Sequence, residues 1–170
     1  MKPLLLTLTA LAAAVSLAVG LSSASASSRS VKAGPRVAVA STGLGRVLVD
    51  GRGRTLYLFA KDKHGTSACT GACAAFWPPL IASGKPLASQ EAKASLLGTT
   101  KRSDGRLQVT YNHHPLYTFV KDVRKGQTGG EGIDAFGTKW WAVSASGAKV
   151  AKNTVTSSGG ADPKPGGYGY

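Results

Sequence analysis

A mostly β protein is what this sequence predicts, built as two related β-hairpin/meander repeats packed into one domain with one or two short helices. Three observations lead there. The chain of 170 residues writes one string twice, sixty residues apart: Gly45-Arg46-Val47-Leu48-Val49 then Leu56-Tyr57-Leu58-Phe59-Ala60-Lys61-Asp62, and Gly105-Arg106-Leu107-Gln108-Val109 then Leu116-Tyr117-Thr118-Phe119-Val120-Lys121-Asp122. Similarity in constant register marks two copies of one supersecondary unit. The dominant hydrophobic period inside each copy is two, and helical patterning is sparse.

The elements follow in order. Val47 and Val49 alternate with Leu48 and Asp50, Leu56 and Leu58 with Tyr57 and Phe59, and Leu107, Val109 and Tyr111 with Gln108 and Thr110, so these are strands. Asp50-Gly51-Arg52-Gly53 and Asn112-His113-His114-Pro115 supply turn chemistry between them, and each unit begins as a hairpin. A third strand is expected over residues 139–144, with Trp140 and Trp141 on opposite faces. Residues 89–97 read as a helix, with Ser89 as N-cap and Gly98 as stop; residues 68–76 read as a short helical turn ended by Pro78-Pro79. Repeat one runs from about residue 43 to 80 and repeat two from about 96 to 147.

The repeated Y-x-F-x-x-D string has a mechanical reading. Tyr57 and Phe59 project to one face of their strand and Leu56 and Leu58 to the other, so that strand is covered on both sides; Tyr117 and Phe119 are the second pair. Asp62 and Asp122 then open their loops, where a carboxylate accepts backbone N–H bonds and fastens strand to loop. A calcium site from Asp122, Glu131 and Asp134 is a sharper idea, but the spacing matches no EF-hand-like loop. Equivalent repeat positions could bring Asp62 and Asp122 together, although symmetry alone does not place them in contact.

Composition sets boundaries and compartment. Met1-Lys2 precedes an apolar run over residues 4–21, and Ala24-Ser25-Ala26 supplies an A-x-A cleavage signal, so residues 1–26 read as a signal peptide. Residues 27–36 read as a flexible leader and residues 37–150 as the domain. Residues 151–170, rich in Gly, Pro and Ser, read as a disordered tail. No second apolar stretch approaches spanning length, so the mature chain is expected to carry no transmembrane segment and to be secreted or cell-wall associated. The formal net charge of +13 attracts polyanions, either an anionic cell-wall polymer or lipid headgroups. Basic residues are dispersed without a run of five or six and without interleaved aromatics, so specific nucleic-acid binding is not expected.

Cys69 and Cys73 are the only cysteines, and export to an oxidising compartment makes a disulfide between them the default. A regular helix holds residues four apart too far for a relaxed bridge, so Gly71 is expected to let the loop leave helical geometry. The competing reading is a metal or haem site from Cys69, Cys73 and His64, but C-x-x-x-C lacks the spacing of the usual redox, haem and zinc motifs. The adjacent His113 and His114 could present imidazoles to copper or zinc, with His64 and an aspartate completing the set; two ligands alone leave a site incomplete. No metal site is assigned on these grounds, and no cofactor. There is no G-x-S-x-G elbow, no H-E-x-x-H and no phosphate-cradling glycine loop before a helix, so no enzyme activity is expected.

The ordered motifs carry a resemblance. Thr55-Leu56-Tyr57-Leu58-Phe59 through Asp62 to Cys69 and Cys73 and then Trp77-Pro78-Pro79-Leu80 looks like the first half of the exported "secreted repeat of unknown function" family, also described as predicted lipoproteins with a Y-x-(F/W/Y)-x-x-D motif. The second half is similar through Leu96-Leu97-Gly98-Thr99, Arg102, Asp104-Gly105, Gln108-Val109-Thr110-Tyr111-Asn112, Pro115-Leu116-Tyr117, Asp122, Gly126, Thr128-Gly129 and Trp140-Trp141. The lipid-bearing cysteine common in that family is missing, and His113 stands where its Y-N-G turn has glycine. The resemblance implies a compartment and a fold but no established reaction. The expectation is an exported, non-catalytic binding or structural module for an anionic envelope component. The alternative is a metal-handling or redox accessory protein using the Cys69/Cys73 loop and nearby histidines.

Overall fold

The first hairpin is made by β1 (Arg36–Thr42) and β2 (Gly45–Asp50), paired antiparallel from Val37↔Asp50 to Thr42↔Gly45. Alternation of side chains divides it between two cores: Val37, Val39 and Leu48 enter one apolar cluster, and Ala38, Val47 and Val49 the other. This hairpin opens the described part of the computed structural model, residues 33–150; the expected signal peptide, leader residues 27–32 and tail 151–170 lie outside the described residues. Arg36, assigned to the leader by composition, is instead the first residue of β1. The chain before it is held close: a Cβ at Gly34 would stand 2.2 Å from the Lys85 carbonyl oxygen. β4 (Leu87–Ala88) then pairs with β1 in parallel.

β3 (Tyr57–Phe59) is buried along its length, with Tyr57 and Phe59 in one cluster and Leu58, like Leu56 before it, in the other. A single turn of helix, α1 (Ala72–Phe76), follows and ends at Trp77 ahead of the two prolines. The helix expected over residues 89–97 is absent. Gln90 and Glu91 sit at φ 48° and 66°, a conformation no right-handed helix contains. Ser89 N–H donates to the Val37 carbonyl and Val39 N–H to the Gln90 carbonyl, so pairing with the edge of β1 prevails over local helix preference. Only a 3-10 turn, Ala94–Leu96, precedes the next strand.

Repeat two uses β5 (Leu97–Lys101), β6 (Leu107–Tyr111) and β7 (His114–Pro115), in sheet order β5-β6-β7. The connection between β6 and β7 is shorter than the expected four-residue turn: Asn112 and His113 alone form it, both with positive φ, and His114–Pro115 belongs to the strand. β8 (Asp134–Ala135) and β9 (Thr138–Ala142) form the last hairpin, and β9 pairs with β3 through Tyr57↔Ala142 and Phe59↔Trp140.

The two repeats exchange their final segments. Leu48 N–H donates to the Val143 carbonyl (2.7 Å), Val143 N–H to Leu56 (3.1 Å) and Leu56 N–H to Leu48 (2.9 Å). The same ring recurs with Val109 N–H to Leu80 (2.8 Å), Leu80 N–H to Leu116 (2.9 Å) and Leu116 N–H to Val109 (2.9 Å). Val143, from the end of repeat two, therefore completes the hairpin of repeat one, and Leu80, from the end of repeat one, completes the hairpin of repeat two. Tyr57 and Tyr117 mark the local twofold, each donating its N–H to the other's carbonyl at 2.8 and 3.0 Å.

Candidate functional site

The motif residues of the two repeats meet at that twofold, side chain as well as backbone. Tyr57 Oη donates to Asp122 Oδ2 at 2.5 Å, and Tyr117 Oη donates to Asp62 Oδ2 at 2.7 Å, so each tyrosine is held by the other repeat's aspartate. The remaining carboxylate oxygens fasten the loops: Asp62 Oδ1 accepts Ala68 N–H (2.7 Å) and Asp122 Oδ1 accepts Gly129 N–H (2.9 Å). Asp62 and Asp122 thus each engage a separate tyrosine. Burial is the main cause that pushes both phenols above their ordinary range, with the paired aspartates adding to it.

Aromatic rings repeat the exchange. Phe59 stacks on Trp140 (4.1 Å between centroids), Trp140 on Trp77 (3.9 Å) and Trp77 on Phe119 (4.4 Å), giving one four-ring column. Tyr57 meets Trp77 edge-on at 5.4 Å and Tyr117 meets Trp140 edge-on at 5.1 Å. Stacks and edge contacts of this kind add to the stabilisation from burial, so the column fastens the two repeats together. Trp141, on the opposite face of β9, packs against the other cluster beneath Lys149 Nζ, 5.0 Å from its ring.

A buried cation organises the Asp62 end. Arg102, 4 % exposed, donates from Nη1 to Ser67 Oγ (2.7 Å) and Gln108 Oε1 (2.6 Å) and from Nη2 to the Cys69 carbonyl (2.7 Å). Gln108 Nε2 donates onward to the Leu116 carbonyl, and Tyr117 Oη reaches Ser67 Oγ at 2.8 Å. Burial pushes the Asp62 carboxyl up to about 6, against the lowering effect of the Ala68 and Tyr117 hydrogen bonds and the Arg102 charge. Pattern reading missed this role of Arg102, since arginine in a turn normally reads as solvated. The available signal was the apolar-strand setting of Gln108, a side chain that needs a buried partner.

Cys69 and Cys73 are bonded to each other with Cα atoms 5.3 Å apart, and Gly71 between them takes φ 54°. His64 and His113 occupy tight turns at φ 51° and 65°, and a Cβ at Gly65 would lie 3.4 Å from the His113 carbonyl oxygen, so their loops are neighbours. His114 is half-buried; burial, then the nearby His113, holds its imidazole below the ordinary value. Glu131 Oε2 accepts Ala142 N–H, and Asp134 lies opposite Lys139 in the β8–β9 hairpin. Among the described residues no three His, Cys, Asp or Glu side chains gather as a metal-binding set.

A broad concavity lies elsewhere, between the first hairpin and the loop after Asp122. This cleft of about 710 Å³ is lined by Arg36, Arg52 and Lys125 with Ser41, Ser89 and Gln90. Asp50 on its wall is occupied, accepting the backbone N–H groups of Arg52 and Arg54 and the Arg54 guanidinium at 2.7 Å. Arg36, Arg52 and Lys125 enter no ion pair among the described residues, and the Ser89 hydroxyl has no hydrogen-bond partner there.

An arm-exchanged two-repeat β protein, with the Y-x-F-x-x-D string at the junction of its halves, is the class these features define. The chain belongs to the family described as secreted repeat of unknown function, which matches residues 38–81 and 98–144, more than half of its length. It is therefore a secreted or cell-wall-associated protein. No curated protein and no solved structure matches it.

Proposed function

We propose that the protein is a non-catalytic binding module for an anionic polymer of the cell envelope, held in the cleft that Arg36, Arg52 and Lys125 line. The observation that carries this reading is the charge balance of the cleft: three cations without an ion-pair partner among the described residues, beside a carboxylate that Arg54 already occupies. A concave wall concentrates the field of such cations and favours a polyanion over a monovalent ion. Motif chemistry supports the non-catalytic half of the proposal, because Tyr57, Tyr117, Asp62 and Asp122 spend their polar atoms on one another and on their loops.

Retention on purified, phosphate-bearing wall polymer tests the proposal. Binding should weaken steeply as salt rises, and R36Q/R52Q/K125Q should weaken it about tenfold or more. A charge-matched control, K63Q/K101Q/K149Q, should change it far less. Equal losses in the two triple variants would replace the cleft by diffuse attraction to net charge.

A further inference from the structure

We propose a second interaction surface: an apolar groove with Phe76 and Phe136 at its mouth that docks the protein onto an anionic lipid bilayer. The groove, about 270 Å³, is walled by Trp77 and Phe119 from the end of the aromatic column, and Lys121 is its one polar lining side chain. Phe76 and Phe136, 51 % and 40 % exposed, face each other with centroids 6.2 Å apart. Val120, 48 % exposed, is tied beside them by its N–H bond to the Phe76 carbonyl at 3.1 Å.

The internal repeat shows that the fold does not demand this apolar surface. Ala60 N–H makes the equivalent 3.1 Å bond to the Lys139 carbonyl, so the positions of Phe76 and Val120 are filled by Lys139 and Ala60 in the other half. The same backbone thus accommodates a lysine and an alanine at one end and presents phenylalanine and valine at the other. Phe136 adds an independent sign. It holds φ 58° at the tip of the β8–β9 hairpin, ahead of Gly137 at φ 94°, a position that asparagine fills readily and a bulky residue does not. Backbone strain of this kind is retained where a side chain is displayed for use.

Charge and lining chemistry choose the partner. Lys121 stands on the groove wall, and Lys61 Nζ lies 3.9 Å from the Cβ position of Gly137; neither lysine is in an ion pair among the described residues. Exposed aromatics flanked by lysines suit an interface of acyl chains beneath anionic headgroups. The groove lining offers no carboxylate, amide or hydroxyl side chain, so a glycan would find few of the polar partners that its hydroxyls call for. This surface is distinct from the cationic cleft and takes a different partner.

Vesicle co-sedimentation of the exported chain, with phosphatidylcholine alone against phosphatidylcholine containing phosphatidylglycerol, tests the proposal. The parent should bind the anionic vesicles selectively, and F76Q/F136N should lose about tenfold or more in affinity at an unchanged melting temperature. F136N alone, at a backbone angle asparagine favours, should keep the fold and still weaken binding, and K61Q/K121Q should weaken it in a salt-dependent way. Binding of soluble wall polymer should be unaffected by F76Q/F136N. A parent that ignores anionic vesicles, or an F76Q/F136N protein that binds them like the parent, overturns the proposal.

Discussion

Tyr57 Oη donates its proton to Asp122 Oδ2 at 2.5 Å across 65 residues of sequence, joining the strand of one repeat to the loop of the other. Its counterpart, Tyr117 to Asp62, spans 55 residues. The carboxylates hold both repeats at once, since each also binds its own loop. Tyr57→Phe keeps the ring but leaves the buried Asp122 one donor short, so it should destabilise the domain by about 1–3 kcal/mol. A double-mutant cycle with Asp122→Asn, read by denaturant titration, should give a coupling of about 1 kcal/mol or more. Additive single effects would mean that the bond does not join the repeats energetically.

Close approach makes Gly130 a second point of rigidity. A methyl group there would stand 2.7 Å from Tyr57 Cζ and 2.9 Å from the Trp77 ring, in the crossing between the tyrosine and the aromatic column. Gly130→Ala should therefore cost about 1–3 kcal/mol by overpacking. The accompanying signature is a changed near-ultraviolet circular dichroism from displaced tryptophan; a variant with the parent's spectrum and melting temperature would show that the column yields at no cost.

Sequence reading reached β2, β3 and β6 because of their period of two, which splits Tyr57 and Phe59 from Leu56 and Leu58, and the two apolar clusters divide them in that way. The exchange of arms was not readable. Leu80 and Val143 offer the same chemistry to either hairpin, so a pattern cannot say which copy serves which. β1 was not named as a strand, its first residue Arg36 resembling the polar residues before it, and residues 89–97 were misread because the carbonyls of β1 outweigh a local helix signal. At the site, each aspartate's bond to its own loop is a local matter, whereas its tyrosine partner lies in the other repeat. The cleft and the Phe76–Phe136 groove draw residues from distant segments, and neither has a linear signature.

The disulfide closes only a short loop, so its removal should be tolerated. Chain entropy assigns about 2 kcal/mol to a bridge across five residues, and Cys69→Ser/Cys73→Ser should lose roughly that amount. The Cys69 carbonyl also accepts the Arg102 guanidinium, so a looser loop should disturb the Ser67–Arg102–Tyr117 network as well. A loss well beyond about 4 kcal/mol would show that this loop organises the domain rather than trimming it.

Asp62 sets a pH dependence of definite sign. Its carboxyl rises from 3.8 to about 6 in the folded protein, chiefly because burial disfavours the charged form. Between those two values the folded state binds a proton that the unfolded state has released. The resulting stabilisation is fully present below about pH 4 and is lost as pH rises through about 6. Asp62→Asn removes the titration, so the stability difference between parent and variant should shift toward the parent by about 1–3 kcal/mol on acidification across that window. Comparing each protein with itself cancels the fixed cost of the substitution, and comparing the two pH profiles cancels the other carboxylates and histidines. Parallel profiles would show that Asp62 titrates normally. A shift toward the variant would show that the hydrogen bonds from Ala68 and Tyr117, with the charge of Arg102, outweigh burial and hold the carboxyl ionised.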